Sequence, residues 1–202
     1  PTPTDTPAPG DTPVPTEVPT ETPTETPTAA PTETPTETPT ATAVAPTVTP
    51  TPTAAAAATL TFLAVEDAYV SENGPDTNYG AASNVRVDAL APIQRSYLRF
   101  DVQGVTAPVT NATLRVFAAS GSSAGYEVRN VTGAWSEPTV TYNNAPGTGT
   151  AAGSSNKPFT TGSWTSVDVT SLVAGNGVVD LAMTPLSATA INFNSREGAN
   201  KP

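Results

Sequence analysis

Proline recurs at every second to fourth position through most of the first 58 residues, and this rules out a packed fold for more than a quarter of the chain. Fifteen of the 23 prolines lie before Thr59, interleaved with twenty threonines and with little that is apolar beyond Ala and a few Val. Such a segment buries too little apolar surface to offset the entropy of ordering itself. Each proline fixes its own φ and pushes the residue before it out of the helical region, so polyproline II is the favoured conformer. The unit Thr20-Glu21-Thr22-Pro23-Thr24-Glu25-Thr26-Pro27 is a tetrapeptide repeat, and it returns at Thr32–Pro39. Fully extended, 58 residues at about 3.1 Å each would reach on the order of 180 Å.

Thr-rich sequence with Pro is the composition of O-glycosylated stalks, because an extended backbone presents every hydroxyl to a transferase. The expected acceptors are Thr20, Thr22, Thr24, Thr26, Thr28, Thr32, Thr34, Thr36, Thr38 and Thr40. An unmodified flexible linker is the plainer reading of the same composition. Either way the foldable part is residues 59–202, a usual size for one compact domain.

The formal charge of −10 divides unevenly. Seven acids and no base lie in the stalk, whereas the domain holds eleven acids against all eight bases. A surface of that sign cannot replace the counterions of a phosphate backbone, so nucleic acid is excluded as a partner. The longest apolar run, Leu60 to Val65, is far too short to span a bilayer. With no Cys and no His, thiolate and imidazole metal sites are absent, and so is the usual hydrolytic triad. Export has to be inferred from the stalk.

Period-two alternation dominates the domain. Leu98, Phe100 and Val102 alternate with Tyr97, Arg99 and Asp101; Val85 and Val87 with Arg86 and Asp88; Leu114 and Val116 with Arg115 and Phe117. Val179, Leu181 and Met183 alternate with Asp180 and Ala182, and Ile191 and Phe193 with Asn192 and Asn194. Turn signals such as Asn73-Gly74-Pro75, Gly121-Ser122-Ser123 and Gly175-Asn176-Gly177 separate the runs. About nine short strands with this spacing predict an all-β fold: an antiparallel, jelly-roll-like β-sandwich with two wet faces.

The order Asp67-Ala68-Tyr69-Val70, Asn78-Tyr79-Gly80, Val85-Arg86-Val87-Asp88, Arg95 to Asp101 resembles the start of a DNRLRE-type domain, a family that overlaps carbohydrate-binding module family ninety-six. Ala112 to Val116, Trp135-Ser136-Glu137, Thr141 to Pro146, Trp164 with Val167-Asp168-Val169, and Ser195-Arg196-Glu197 continue the resemblance across nearly the whole domain. It implies a jelly roll in an extracellular setting, attachment to polysaccharide-active enzymes or surface proteins, and sometimes bound calcium. Members of that family usually continue past the final Pro with a closing strand, whereas this sequence stops at Pro202. Two expectations follow: the protein continues beyond Pro202, or an open sheet edge accepts an extended segment from another copy, with Leu60 to Val65 the best donor and Val44 to Val48 a poor second.

Calcium is the one cofactor the residues suggest. Asp67, Glu72, Asp76, Asn78 and Asp88 cluster around the first loop and offer hard oxygen ligands; ordinary turn chemistry is the alternative. Sugar binding needs an aromatic platform with hydrogen-bonding neighbours. Tyr97, Arg99, Trp135, Tyr142 and Trp164 are the chosen candidates, with Tyr79 and Tyr126 behind them. In the resembled family the two Trp positions look more like core or loop anchors. Arg86, Arg95, Arg99 and Arg115 on outward strand faces could hold an acidic polysaccharide, or pair with neighbouring acids. The sequons at Asn111 and Asn130 are possible N-glycosylation sites. Nothing pairs Glu66, Asp67, Glu72, Asp76, Glu127 or Glu137 as glycosidase carboxylates, so a non-catalytic protein is expected. Two functions fit: first, a structural subunit of a surface layer or filament that self-associates; second, a module for acidic polysaccharide tethered to an enzyme or adhesin.

Overall fold

A computed structural model describes residues 58–155 and 158–202; the Pro/Thr tract, with its ten expected acceptor threonines, and Val44 to Val48 lie outside the described residues. The described part is all-β, with one 3-10 turn at Thr170–Leu172. The strands are β1 (Ala64–Ser71), β2 (Asn84–Val87), β3 (Gln94–Val102), β4 (Thr113–Ala118), β5 (Tyr126–Thr132), β6 (Gly147–Ser155), β7 (Ser163–Asp168), β8 (Gly177–Pro185) and β9 (Ile191–Asn194). They form a five-stranded sheet, β1-β3-β8-β5-β6, and a four-stranded sheet, β2-β9-β4-β7. Strands β2 and β9, β3 and β8, β4 and β7, and β5 and β6 pair antiparallel. This is one long hairpin rolled so that successive pairs fall on alternate sheets, the jelly roll. Strand β1 is added at the edge beside β3.

The alternation read from the sequence supplies the main core. Leu98, Leu114, Val116, Leu181, Ile191 and Phe193 are buried between the sheets, joined by Tyr126. Burial pushes the Tyr126 hydroxyl up to about 12, and it hydrogen-bonds Thr165 at 2.7 Å. Tyr79 stacks on Tyr69 at the edge of the same core, 4.3 Å between ring centroids. Both tyrosines therefore serve packing rather than display.

The expectation of two wet faces needs correction. The connection from β5 to β6, residues 133–146, folds back over the outer face of the five-stranded sheet. There Trp135 and Val140 make a second small core with Ala68, Val70, Tyr97 and Ala182. The clamp is specific: Asn78 Nδ2 donates to the carbonyls of Glu137 and Val140, both at 2.7 Å. Gly80 lets the two loops touch, since a Cβ at that position would lie 2.6 Å from the Glu137 carbonyl oxygen. Gly80→Ala must push the loop off the sheet and is expected to cost about 1–3 kcal/mol, read as a lowered urea midpoint.

The chain's final residues cross the β1/β2 side of the sandwich. Arg196 N–H donates to Asp67 Oδ2 at 2.6 Å, Ser195 N–H to the Ser83 carbonyl, and Ala64 N–H to the Pro202 carbonyl. The expected donor segment is used internally: Ala64 and Val65 belong to β1, and Phe62 packs against the main core. A segment already engaged in its own sandwich is not free to be given to another copy.

Candidate functional site

One sheet is capped and the other is bare, and that asymmetry sorts the candidate residues. Tyr97 is fully buried, its hydroxyl donating to the Pro146 carbonyl at 2.8 Å. Trp135 is 8 % exposed, and its indole N–H donates to Asp180 at 2.9 Å. Arg99 lies over the Trp135 ring, 4.9 Å from its centroid, and bridges Glu66 at 2.9 Å and Asp180 at 2.8 Å. Tyr142 is half-buried under the Arg95 guanidinium, 5.2 Å from ring centroid to Cζ. Four of the five sugar-binding candidates thus hold the loop onto the five-stranded sheet.

Trp164 is the fifth, and it is 42 % exposed. In β7 the alternation buries Thr165 and Val167 and turns Trp164, Ser166 and Asp168 outward. The same rule in β4 turns Thr113, Arg115 and Phe117 outward, and in β9 Asn192 and Asn194. Phe117 pairs with Trp164 across the strands, their rings edge-on at 5.4 Å. Arg115 lies 5.0 Å from the Trp164 ring centroid. The two Arg–Trp pairs differ in what surrounds them. Arg99 is neutralised by two carboxylates, whereas Arg115 has no carboxylate partner among the described residues. Arg86 and Arg95 also rest on tyrosine rings and lack such a partner.

Phe117, Asn192 and Asn194 were not singled out from the sequence as site residues. The available signal was their position on the polar phase of a strand, where an aromatic or an amide faces water.

The calcium candidates do not converge. Asp67 is buried against Arg196, Glu72 accepts from Ile93 N–H, Asp76 from Asn143 Nδ2, and Asp88 from Leu90 N–H. Asn78 is spent on the loop clamp. Among the described residues, no three His, Cys, Asp or Glu side chains gather as metal ligands. Asp88 closes a local turn on Leu90 N–H, whereas the donors that hold Glu72, Asp76 and Asp67 come from distant segments, so the carboxylates point apart. The residues therefore do not fit the calcium that the resemblance implied.

The carboxylates considered for hydrolysis are similarly engaged. Glu66 is held by Arg99 and by Glu137 N–H, Glu137 by Arg196, and Glu127 by Arg129. Burial pushes the Asp67 carboxyl up to about 7, partly offset by the Arg196 N–H, but the group is fully enclosed.

The two sequons part company. Asn111 is exposed, its side-chain oxygen accepting from Thr113. Asn130 lies against Gly149, so close that a Cβ there would meet its Oδ1 at 2.5 Å, and that oxygen is buried without a partner. Asn130 is half-buried between β5 and β6, a less open position for a glycan than Asn111.

A jelly roll with one capped face and one bare face carrying an exposed tryptophan, an unpaired arginine and free amides defines a class: the β-sandwich binding module. Residues 58–202 match the model of carbohydrate-binding module family 96, and the chain belongs to that family. No curated protein matches the chain. No helix among the described residues is long and apolar enough to cross a membrane.

Proposed function

We propose that this domain is an extracellular, non-catalytic module that binds acidic polysaccharide on the outer face of its four-stranded sheet. Membership of a carbohydrate-binding family supports the ligand class. The observation that carries the location is Trp164, exposed on the one uncovered sheet with Arg115 against its ring. The indole offers an apolar plane for the C–H face of a sugar ring. The guanidinium beside it offers charge-assisted hydrogen bonds to a carboxylate or sulfate on that sugar. In this reading the Pro/Thr tract is a glycosylated spacer between the module and what it serves. A filament subunit is not carried forward: the family match supports sugar binding instead. Of its two assembly routes, covalent tandem repeats and strand donation, the second relied on a segment that is built into β1 and the core.

Affinity electrophoresis through alginate, polygalacturonate and a neutral glucan tests the proposal. Retardation by an acidic glycan is expected, with Trp164→Ala running at the free rate and Arg115→Gln retarded at least tenfold more weakly. Both side chains point to solvent, so the variants should keep the wild-type stability to within about 0.5 kcal/mol. Equal retardation of wild type and Trp164→Ala would place the site elsewhere.

A further inference from the structure

The strand register places Trp164 in a continuous line. Phe117 is paired with Trp164 between β4 and β7. Between β4 and β9 the pair is Ala118 with Phe193, which sets Phe117 beside Asn194. Between β9 and β2, Asn194 is paired with Asn84. All four side chains are on the outward phase of their strands, because Thr165, Ala118, Phe193 and Val85 beside them are buried. The result is one row, Trp164–Phe117–Asn194–Asn84, crossing every strand of the bare sheet.

From this register we propose that the glycan lies along this row, at right angles to the strands, and that the module holds an internal stretch of an extended chain. The inference rests on the reading of this face as the sugar-binding site and adds its direction, its length and two contact residues.

At a strand spacing of about 4.8 Å the row is about 14 Å long, room for about three sugar rings. Its two halves differ in chemistry. Trp164 and Phe117 offer apolar ring surface, while the two asparagines offer an amide donor and acceptor each to hydroxyl groups. Those amides are free to act. Asn194 makes no side-chain hydrogen bond with a described residue, and Asn84 makes only a 3.5 Å contact with Ser83. The row ends at β7 and β2, which are both edge strands of this sheet. Two clefts among the described residues, one lined by Trp135 and Val140 and one by Glu66 and Arg196, lie away from the row. A continuous chain can run off the β7 edge; at the β2 edge it passes residues 195–198, where Gly198 lies close to Asn194. Arg115 stands one step along β4 from the row, opposite Ser166, so it meets charge projecting from one flank of the chain.

Calorimetric titration of the full chain with oligomannuronate and oligogalacturonate ladders, two to six units long, tests this. Affinity should climb to three or four units and then level, and capping the reducing end should change nothing. Asn194→Ala and Asn84→Ala should each weaken binding of the tetramer about two- to tenfold, the worth of a hydrogen bond or two, and leave the dimer unchanged. If both variants bind the tetramer like wild type while Trp164→Ala still abolishes binding, the crosswise row is wrong and the site stands. If a dimer binds as tightly as a hexamer, or end-capping abolishes binding, the internal-stretch claim is overturned. If no oligomer binds, or Trp164→Ala is silent, the underlying reading of the face fails as well.

Discussion

Arg99→Ala is expected to destabilise the domain by about 3 kcal/mol, the cost of breaking a largely desolvated ion pair from one side. Its side chain is 19 % exposed, and the guanidinium serves Glu66, Asp180 and the Trp135 carbonyl together. Removing it leaves two carboxylates facing each other across β3 and takes the cover from the Trp135 ring. The loss should appear as a lower urea midpoint and a melting temperature reduced by several degrees. Sugar binding at temperatures where the variant is folded should be unchanged, because the affected face is the capped one. A variant of normal stability that no longer binds sugar would mean that Arg99 belongs to a binding site after all.

The second large effect concerns pH. Asp67 is fully enclosed, one carboxylate oxygen accepts from Arg196 N–H, and the other has no partner. Burial pushes its carboxyl up to about 7 from an ordinary 3.8; the nearby carboxylates of Glu197 and Glu137 add to the rise, and the Arg196 guanidinium opposes it. The sign follows directly. Between those values the folded state binds a proton that the unfolded state does not, so stability is fully present below about pH 4 and is lost as pH rises through 7. Over roughly three pH units at about 1.4 kcal/mol each, the loss attributable to Asp67 is at most about 4 kcal/mol. Asp67→Asn should flatten that slope and raise the urea midpoint at pH 8. A wild-type midpoint that does not fall between pH 4 and 8 would show that the buried carboxyl ionises without cost.

Much of this fold was legible because strand alternation is a local property. The phase of Leu98, Phe100 and Val102, or of Ile191 and Phe193, follows from neighbours one residue away, and the inward side chains are those expected. Tyr97 shows where that logic ends. Its phase puts it on an outer face, and it is outer, yet it is buried because residues 133–146 return to cover that sheet. No local pattern announces a loop that folds back on its own sheet; the Asn78 clamp that fixes it spans 59 and 62 residues of sequence.

The site was half legible for the same reason. Trp135 and Trp164 are alike as sequence, each followed within two residues by a Ser. Only Trp164 sits in a strand phase shared with Ser166 and Asp168, and that phase marks it as facing water. The row from Trp164 to Asn84 depends on three inter-strand registers, which are set by the whole rolled hairpin. The acids near the first loop looked like a metal site because their sequence spacing is short. Folded, they point to different donors, most of them brought from distant segments: Arg196 for Asp67, Ile93 for Glu72 and Asn143 for Asp76.

Which face meets sugar is read directly by titrating the isotope-labelled full-length chain with a tetrameric oligouronate and following its backbone amides by NMR. The expected shifts fall on Asn84, Arg115, Phe117, Trp164, Ser166 and Asn194, with the Trp164 indole N–H among the largest. Shifts gathered instead on residues 133–146 and the outer face of β1, β3 and β8 would contradict it.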